Sequence, residues 1–564
     1  MTNGSSFSNV FASYGPGGAV SNVTGPTGIV HAYRLKDASG YFQDEFRLSS
    51  KLTLTAGARW DYFGLPSDST GNMTSFWPSL ANPWAPSPAG GTYAGIVVPA
   101  NFNGAVPSGI TRSHGNTAVA GGTGLTNIAP RLGFSFQPMD HGNIVIHGGY
   151  GLFYDRLDAM SIEFVSLAEA PYAVPVGGSG PANYQASLAV PFQPVTLGWS
   201  KPRSADFANG TGSDLSLGTL GENMSIPQTQ KWNLEIQTGI SHGLSFLIGY
   251  AGAHSIRLLS AEHQINEAQL ATPSQHINGL TTSTVANARL RVPYLGIAPN
   301  GLNVVQTQGA AKYNGLQVLV TEQTAYGLRV QAIYSFSKTL ANIGANAPSP
   351  SVPGPMARIG MNSNDPLNAR QQYGPANAGG AAAPRRLAVN YGWQLPFKLT
   401  GFQGAILNGW SISGITVVQS GSPITVFDNR GGTIYGGAGV SRAQFCSGTT
   451  ASNALSRGGI KQRLNGYFAS GSFCAPPSIA DGFGYGNSSV GFVLTPGQNN
   501  TDLSFGKALS IKESRLEFRA EFFNTFNHAQ FSGPDSGVTH AGFGHITSTS
   551  VNPRLIQFAL KYSF

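Results

Sequence analysis

Residues 554–564 read Arg-Leu-Ile-Gln-Phe-Ala-Leu-Lys-Tyr-Ser-Phe. Apolar or aromatic side chains occupy every second position from Ile556 to Phe564. Successive side chains of a β-strand project to opposite faces, so the pattern predicts a strand with one apolar face. A strand that has lipid on one side and water on the other needs this alternation.

The composition is that of a sheet protein whose surface does not face water alone. Only 10% of the 564 residues are charged, whereas globular domains average roughly 25%. The net charge of +8 is spread without a run of Lys or Arg, so we expect no nucleic-acid partner. The sequence contains no stretch of about 18 apolar residues, so it predicts no transmembrane helix. Only strands are then left as a means of crossing a membrane.

The same alternation recurs along the chain and predicts about 14 strands. In several of these strands the face opposite the apolar one carries charged residues, including Arg59, Lys231, Glu235 and Arg519. An apolar core would accept these charges only at a large free-energy cost. We therefore predict an all-β transmembrane antiparallel barrel with these charges toward its lumen. The strands are expected near 29–36, 41–48, 52–63, 130–137, 143–154, 230–239, 244–254, 312–322, 327–337, 385–395, 409–419, 501–508, 515–526 and 552–564.

Short connections alternate with long ones rich in Gly, Pro, Ser, Asn and Ala. Structureless loops of such length are uncommon in compact soluble domains, whereas short turns on one side and long loops on the other are typical of outer-membrane barrels. An even strand count would place both ends of the wall on the short-turn side. We predict a poorly ordered segment over 1–28 and the barrel over 29–564, with long extracellular loops near 64–129, 155–228, 255–311, 338–384 and 421–500.

Tyrosine and tryptophan side chains lie near the ends of several predicted strands. Amphipathic rings prefer the level of the lipid headgroups, which predicts an aromatic girdle. The alternative is that aromatic residues simply favour strands. The girdle candidates are Trp60, Tyr62, Tyr150, Trp232, Tyr250, Trp393 and Trp410.

The two cysteines, Cys446 and Cys474, lie in one predicted loop. In an oxidising compartment we expect them to form a disulfide, and the alternative is two unpaired thiols. No His-x-x-x-His or Cys-x-x-Cys spacing predicts a metal site. The residues 239–243 match the Gly-x-Ser-x-Gly pattern, but a nucleophile elbow needs a following helix and here strands flank the motif. We therefore predict no enzyme, no metal and no cofactor.

Several motifs, weak alone, occur in an order and spacing that together carry a resemblance. From about residue 41 onward the chain resembles the C-terminal barrel of Oar-like TonB-dependent outer-membrane receptors. Full-length relatives often carry a carboxypeptidase-regulatory-like domain at the N-terminus. The matching segments include 41–47, 127–134, 227–234, 313–317, 408–410 and 519–528.

The resemblance implies a place in the outer membrane of a Gram-negative-type bacterium and a barrel of 22 strands. It implies that this chain is a fragment without the plug and the first strands. Expected partners are outer-membrane lipid, the barrel-assembly machinery and a nutrient ligand, with a TonB-type energy transducer only if a plug lies upstream. The aromatic terminal strand would be the signal that the assembly machinery reads, through Phe558, Leu560, Tyr562 and Phe564.

Three functions remain open from the sequence. The first is uptake of a large nutrient, such as a carbohydrate or a siderophore, by a TonB-dependent receptor. The second is a structural or adhesive outer-membrane protein. The third is a secreted soluble β-rich enzyme or lectin, which cell fractionation would separate from the other two.

Overall fold

One large antiparallel sheet dominates the described part of the chain. The computed structural model describes residues 11–14, 20–24, 32–71, 73–84, 92–119, 125–139, 143–157, 215–240, 243–324, 326–342, 364–365, 368–375, 383–437, 441–511 and 513–564. The predicted poorly ordered segment 1–28 falls largely outside these ranges. Within it, only the strands Phe11–Tyr14 and Val20–Thr24 are described, and they pair antiparallel.

Thirteen long strands form the wall of this sheet in the described residues, and each pairs antiparallel with the next in the chain. They are β1 (Asp37–Arg47), β2 (Leu52–Phe63), β3 (Ile128–Phe136), β4 (Ile144–Tyr154), β5 (Gln228–Gly239), β6 (Ser245–Gln264), β7 (Ile297–Gln323), β8 (Leu328–Ala341), β9 (Arg385–Gln394), β10 (Trp410–Gln419), β11 (Gln498–Ile511), β12 (Ser514–Phe523) and β13 (Leu555–Ser563). Two shorter strands join the sheet: Leu215–Leu220 runs parallel to β7, and Gly374–Pro375 pairs antiparallel with β8.

The prediction of an all-β antiparallel architecture is confirmed, and 13 of the 14 predicted strands appear in the wall. The predicted strand at 29–36 is wrong. Among its described residues only Tyr33–Arg34 is a strand, and it pairs with Ser67–Asp68 outside the wall. The Asp68 carboxylate accepts a hydrogen bond from the Ala32 N–H at 3.1 Å, which holds this segment in a local contact.

The described wall is an open sheet. Among the described residues, β1 and β13 are the two edges of the sheet and do not pair with each other. Because the strand at 29–36 is missing from the wall, β1 begins at the long-loop end, contrary to the expectation that both ends of the wall lie on the short-turn side. A total of 22 strands stays a prediction.

The strand register separates an apolar face from a polar face. Leu316 of β7 lies directly opposite Tyr250 of β6 and Phe336 of β8. Its neighbour Gln317 projects to the other face, opposite Gly249 and Ser335. Since directly opposite residues share a face, the alternation seen in single strands adds up to one continuous apolar surface.

The polar face carries ion pairs between neighbouring side chains. Arg519 and Glu521 approach to 3.2 Å on β12, and Arg59 and Asp61 approach to 2.8 Å on β2. These pairs are partly solvated, so each contributes little to stability. They make the face suitable for water and unsuitable for hydrocarbon.

The connections at one end of the wall, here called the short-turn end, are brief. They comprise 48–51, 137–143, 240–244, 324–327 and 512–513, whereas 395–409 is longer and contains the helix α1 (Gly401–Leu407). The Gly-x-Ser-x-Gly motif at 239–243 therefore joins β5 to β6 as a hairpin, as predicted, with 241–242 outside the described residues.

Strands β6 and β7 are much longer than the sequence predicts. They have 20 and 27 residues, although about 9–11 residues cross a bilayer. Their pairing continues beyond the apolar stretch through His263 and Val304, with register shifts after Ser255. The predicted loop at 255–311 is therefore reduced to 265–296. The alternation of apolar and polar residues fades in this part of the two strands, so the sequence pattern did not mark it.

The opposite, long-loop end carries a folded layer with its own hydrophobic cores. We define the loop layer as residues 64–127, 155–227, 265–296, 342–384, 420–497 and 524–554, of which parts are described. Met73, Leu220 and Val305 pack in one buried cluster, and Val426 and Phe468 in another. The Phe468 and Phe543 rings stack at 4.9 Å between centroids.

Short strands and turns of helix tie the loop layer together. The short pair of Pro423–Ile424 with Val493–Leu494 lies outside the wall. The other short strands are Ser75–Phe76, Ile96–Val98, Thr111–Arg112, Phe427–Asp428, Ser441–Arg442, Gln444–Phe445, Phe473–Cys474, Ser478–Ile479 and Gly482–Phe483. The 3₁₀ turns are Pro78–Leu80, Ala288–Leu290, Ala369–Gln372, Thr433–Tyr435 and Ile460–Arg463.

Candidate ligand pocket in the loop layer

A cavity of about 580 Å³ lies in the loop layer between the segments 365–373 and 435–490. Small-molecule sites commonly measure about 300–1,000 Å³. The cavity is lined mainly by polar and aromatic side chains, among them Asp365, Tyr373, Tyr435, Arg442, Tyr485 and Asn487. This lining suits an oxygen-rich ligand better than a hydrocarbon.

Two glycines place an aromatic side chain at the wall of the cavity. Gly432 and Gly436 adopt left-handed backbone angles, with φ of 80° and 75°, on either side of the 3₁₀ turn Thr433–Tyr435. Glycine reaches this conformation without steric cost. The turn stacks the Tyr435 ring on Tyr485, with centroids 4.9 Å apart and planes within 8°.

A buried carboxyl group stands behind these rings. Glu267 is 3% exposed and accepts a hydrogen bond from the Tyr485 hydroxyl. Burial raises the pKa of Glu267 to about 7, and the hydrogen bond from Tyr485 partly offsets this rise. Burial, followed by the neighbouring Glu267, also raises the pKa of Tyr485. The pair links the connection 265–296 to the segment 477–490.

Arg291 is fully buried and joins the connection 265–296 to the 3₁₀ turn Thr433–Tyr435. Its guanidinium donates hydrogen bonds to Asn287 Oδ1 at 2.7 Å, Thr284 O at 3.0 Å and Ile434 O at 2.5 Å. It also donates to the carbonyl of Gln269. Burial lowers the pKa of Arg291. The residue acts as a fixed donor that satisfies carbonyls from separate loops.

Two residues lining the cavity keep buried polar atoms without a protein partner. Arg442 donates to Gln371 O at 2.5 Å, but its Nε has no hydrogen-bond partner among the described residues. The Ser488 hydroxyl also lacks one there. Burial lowers the pKa of Arg442 to about 10, so it is charged at neutral pH. Unsatisfied buried groups are costly in free energy, which favours a ligand that supplies oxygen acceptors.

The Glu267 carboxyl makes the loop layer sensitive to pH. Its folded pKa of about 7 lies above the ordinary value of 4.5, so the folded state binds more protons between these values. The contribution of Glu267 to the stability of the loop layer is therefore greatest below about pH 4.5. This contribution falls by on the order of 3 kcal/mol as the pH rises to about 7. We expect Glu267→Gln to abolish this fall, measured by hydrogen exchange of 265–296 in the variant and the natural protein at each pH.

The control for this prediction is Glu513→Gln, which makes the same chemical change at an exposed short-turn residue. It should leave the pH dependence of the loop layer unchanged. Equal pH dependence in the natural protein and in Glu267→Gln would show that the buried carboxyl is not the titrating group.

None of the residues singled out from the sequence is among the described residues that line this cavity. Cys446 and Cys474 form a disulfide with Cα atoms 5.0 Å apart, between short strands of the loop layer. All seven girdle candidates lie on the apolar face: Trp60, Tyr62, Tyr150 and Trp232 toward the long-loop end, Tyr250 nearer mid-strand, and Trp393 and Trp410 at the short-turn end. Their girdle role, and the assembly role of Phe558, Leu560, Tyr562 and Phe564, stay predictions.

The cavity residues were missed because no local pattern marks them. Glu267 and Tyr485 are 218 positions apart.

In the described residues, no group of three or more His, Cys, Asp or Glu side chains is arranged to hold a metal ion. No helix in the same ranges is long and apolar enough to cross a membrane.

The family to which the chain belongs agrees with the architecture. A family model described as an outer membrane beta barrel domain matches residues 2–557. No curated protein matches the chain. Similar solved structures include the outer membrane transporter YddB from Escherichia coli, with 9% identity and a TM-score of 0.42 over 94% of this chain and 45% of that one.

Two further solved structures have similar sequence identities, coverages and TM-scores. The siderophore receptor PiuA from Acinetobacter baumannii has 8% identity and a TM-score of 0.35, over 94% of this chain and 44% of that one. The ferric citrate transporter FecA has 8% identity and a TM-score of 0.37, over 97% of this chain and 47% of that one. The chain thus spans less than half the length of each of these proteins.

Proposed function

Because the chain belongs to the outer membrane beta barrel domain family and resides in the outer membrane, we propose that it is the barrel of a nutrient receptor that captures an oxygen-rich ligand in its loop layer. In outer-membrane barrels generally, the apolar face of the wall meets lipid and the long loops lie outside the cell, and this general arrangement supports the proposal. A ligand that arrives from outside the cell therefore reaches a cavity among those loops before it reaches the wall. Conversely, the short-turn end faces the periplasm.

The observation that carries the proposal is the pair of unsatisfied buried groups at the cavity, Arg442 Nε and Ser488 Oγ. A protein that only needed stable loops would gain stability by satisfying or removing them. Arg442 Nε can only donate, whereas the Ser488 hydroxyl can donate or accept, so a ligand rich in oxygen atoms could satisfy both groups. Carbohydrates and siderophores share that chemistry, and either fits the stacked rings of Tyr435 and Tyr485.

The first experiment titrates the full chain in detergent micelles with maltohexaose, xylohexaose, ferrichrome and ferric citrate, following intrinsic fluorescence. We expect one chemical class to bind. Arg442→Gln should then weaken its binding about tenfold or more, because a hydrogen bond to a charged donor contributes about 1.5–3 kcal/mol. Ser488→Ala should weaken binding without loss of stability, since that hydroxyl has no partner among the described residues.

The matched control is Arg457→Gln, which removes the same charge from an exposed position of the same loop. It should bind the probe as the natural protein does. Equal affinities of the Arg442→Gln and Arg457→Gln variants would contradict the proposed site. Failure of every probe to bind would favour the alternative function, a structural or adhesive outer-membrane protein.

We further propose that the wall belongs to a larger protein that contributes additional strands. The edges β1 and β13 present unpaired backbone groups in the described residues, and lipid does not tolerate open sheet edges. Additional strands would close the wall, as the Oar-like resemblance suggests. Energised uptake through a TonB-type transducer would then depend on a plug within that larger protein.

A further inference from the structure

The longest connection at the short-turn end, residues 395–409, approaches the wall from its lipid-facing side. Lys507 of β11 lies directly opposite Trp410 of β10 and Phe518 of β12, and Phe518 lies opposite Leu560. These four side chains therefore share the apolar face. The Lys507 ammonium lies 5.5 Å from the centre of the Trp410 ring.

The same two side chains hold the end of helix α1. Lys507 Nζ donates hydrogen bonds to the carbonyls of Ala405 and Ile406, each at 2.8 Å, and to the Asn408 carbonyl. The Trp410 Nε1–H donates to the Ile406 carbonyl at 2.8 Å. A cation at the C-terminal carbonyls of a helix is favourable. Because both donors project from the apolar face, this end of the helix lies outside the barrel.

The connection is a closed and ordered turn. Asn408 bridges it, donating to Leu399 O at 2.8 Å and accepting from Leu399 N–H at 2.9 Å. Gly404 is buried against this bridge, where an added Cβ would lie 2.1 Å from Leu399 O. Gly401 allows the chain to enter the helix with φ of 63°. The helix is therefore held in one orientation.

That orientation exposes its apolar side chains. Phe402 and Ile406, one turn apart and opposite Gly404, are 81% and 49% exposed. Phe397, Leu399 and Leu407 are also more than 40% exposed. A contiguous apolar patch of this kind marks a contact surface. Exposed Lys398 is the one ionisable side chain within the connection itself.

We propose that residues 396–407 form a lipid anchor that inserts Phe402 and Ile406 into the periplasmic leaflet of the outer membrane. The patch is continuous with the apolar face that the barrel family places in lipid, and it lies at the end of that face. A lysine and a tryptophan at the helix end suit the headgroup level. The occupant that this geometry fits is phospholipid, with the exposed Lys398 beside its phosphates.

The test places a fluorescent bimane on Phe402→Cys in the full chain, inserted into vesicles of phosphatidylethanolamine and phosphatidylglycerol. The natural cysteines are joined in a disulfide, so they do not compete for the label. Nitroxide-labelled lipids should quench the bimane and place it about 5–10 Å into the headgroup and acyl boundary. Ile406→Cys provides a second label at the same expected depth.

Glu513→Cys is the control, because this exposed residue lies in a tight turn at the same end of the wall. Its bimane should be quenched by iodide in water and spared by lipid nitroxides. Iodide quenching at position 402 equal to that at 513 would overturn the proposal. Shielding of position 402 from both quenchers would overturn it too, since it would indicate a protein partner or a second copy.

Discussion

Leu316→Arg is expected to destabilise the wall by about 2–4 kcal/mol, the cost of an arginine at the centre of the lipid-facing surface of a barrel. Leu316 is central within the paired stretch of β7 and lies on the apolar face opposite Tyr250 and Phe336. Its side chain is 40% exposed, so arginine fits without a steric clash. The change can be measured as the shift in the urea midpoint of the full chain folded into vesicles.

Gln317→Arg is the matched control, one residue along the same strand. Gln317 is exposed on the polar face, opposite Gly249 and Ser335, where an arginine remains hydrated. We expect less than about 0.5 kcal/mol of change, as for other surface substitutions. If the two variants lose stability equally, the assignment of the apolar face to lipid is wrong.

Arg291→Met is expected to disorder the loop layer around the cavity while the wall stays folded. The substitution preserves much of the apolar volume but removes every donor of a fully buried guanidinium. The carbonyls of Gln269, Thr284 and Ile434 would each lose a hydrogen bond. An unsatisfied buried acceptor costs about 1–3 kcal/mol, so the total is several kcal/mol.

Hydrogen exchange measures this effect directly. Protection should fall in 265–296 and near 434, and it should persist in the wall strands. Arg289→Met is the control, because it removes a partly exposed arginine from the 3₁₀ turn Ala288–Leu290, which Arg291 directly follows. Equal loss of protection in both variants would contradict the role of Arg291 as the link between the loops.

The wall could be predicted because lipid imposes a local pattern on each strand. The alternation from Ile556 to Tyr562 appears in the structure as β13, with Phe558 stacked against Phe518 of β12 at 6.2 Å. The same pattern misled at 29–36, because a short alternating stretch also suits the local pair of Tyr33–Arg34 with Ser67–Asp68. The alternation of apolar and polar residues specifies an extended segment. Whether that segment joins the wall depends on the strand with which it pairs.

The candidate pocket could not be predicted because its contacts are distant in sequence. Arg291 reaches the carbonyl of Ile434 across 143 positions. The segments involved have no periodicity, since neither strand pairing nor lipid orders their side chains. Glycine-rich composition correctly indicated that they leave the wall, yet it concealed the buried clusters around Val305 and Phe468.

An all-β wall with one apolar and one polar face could be read from the amino-acid sequence, because a period of two records locally which side of each strand meets lipid. The tertiary structure alone decided what lies at the two ends of that wall. At one end it brings Glu267 together with Arg442 and Tyr485 of another loop, and at the other it turns Phe402 outward. These arrangements follow from hydrogen bonds between distant residues, such as those of Arg291 and Lys507, and no local pattern encodes them.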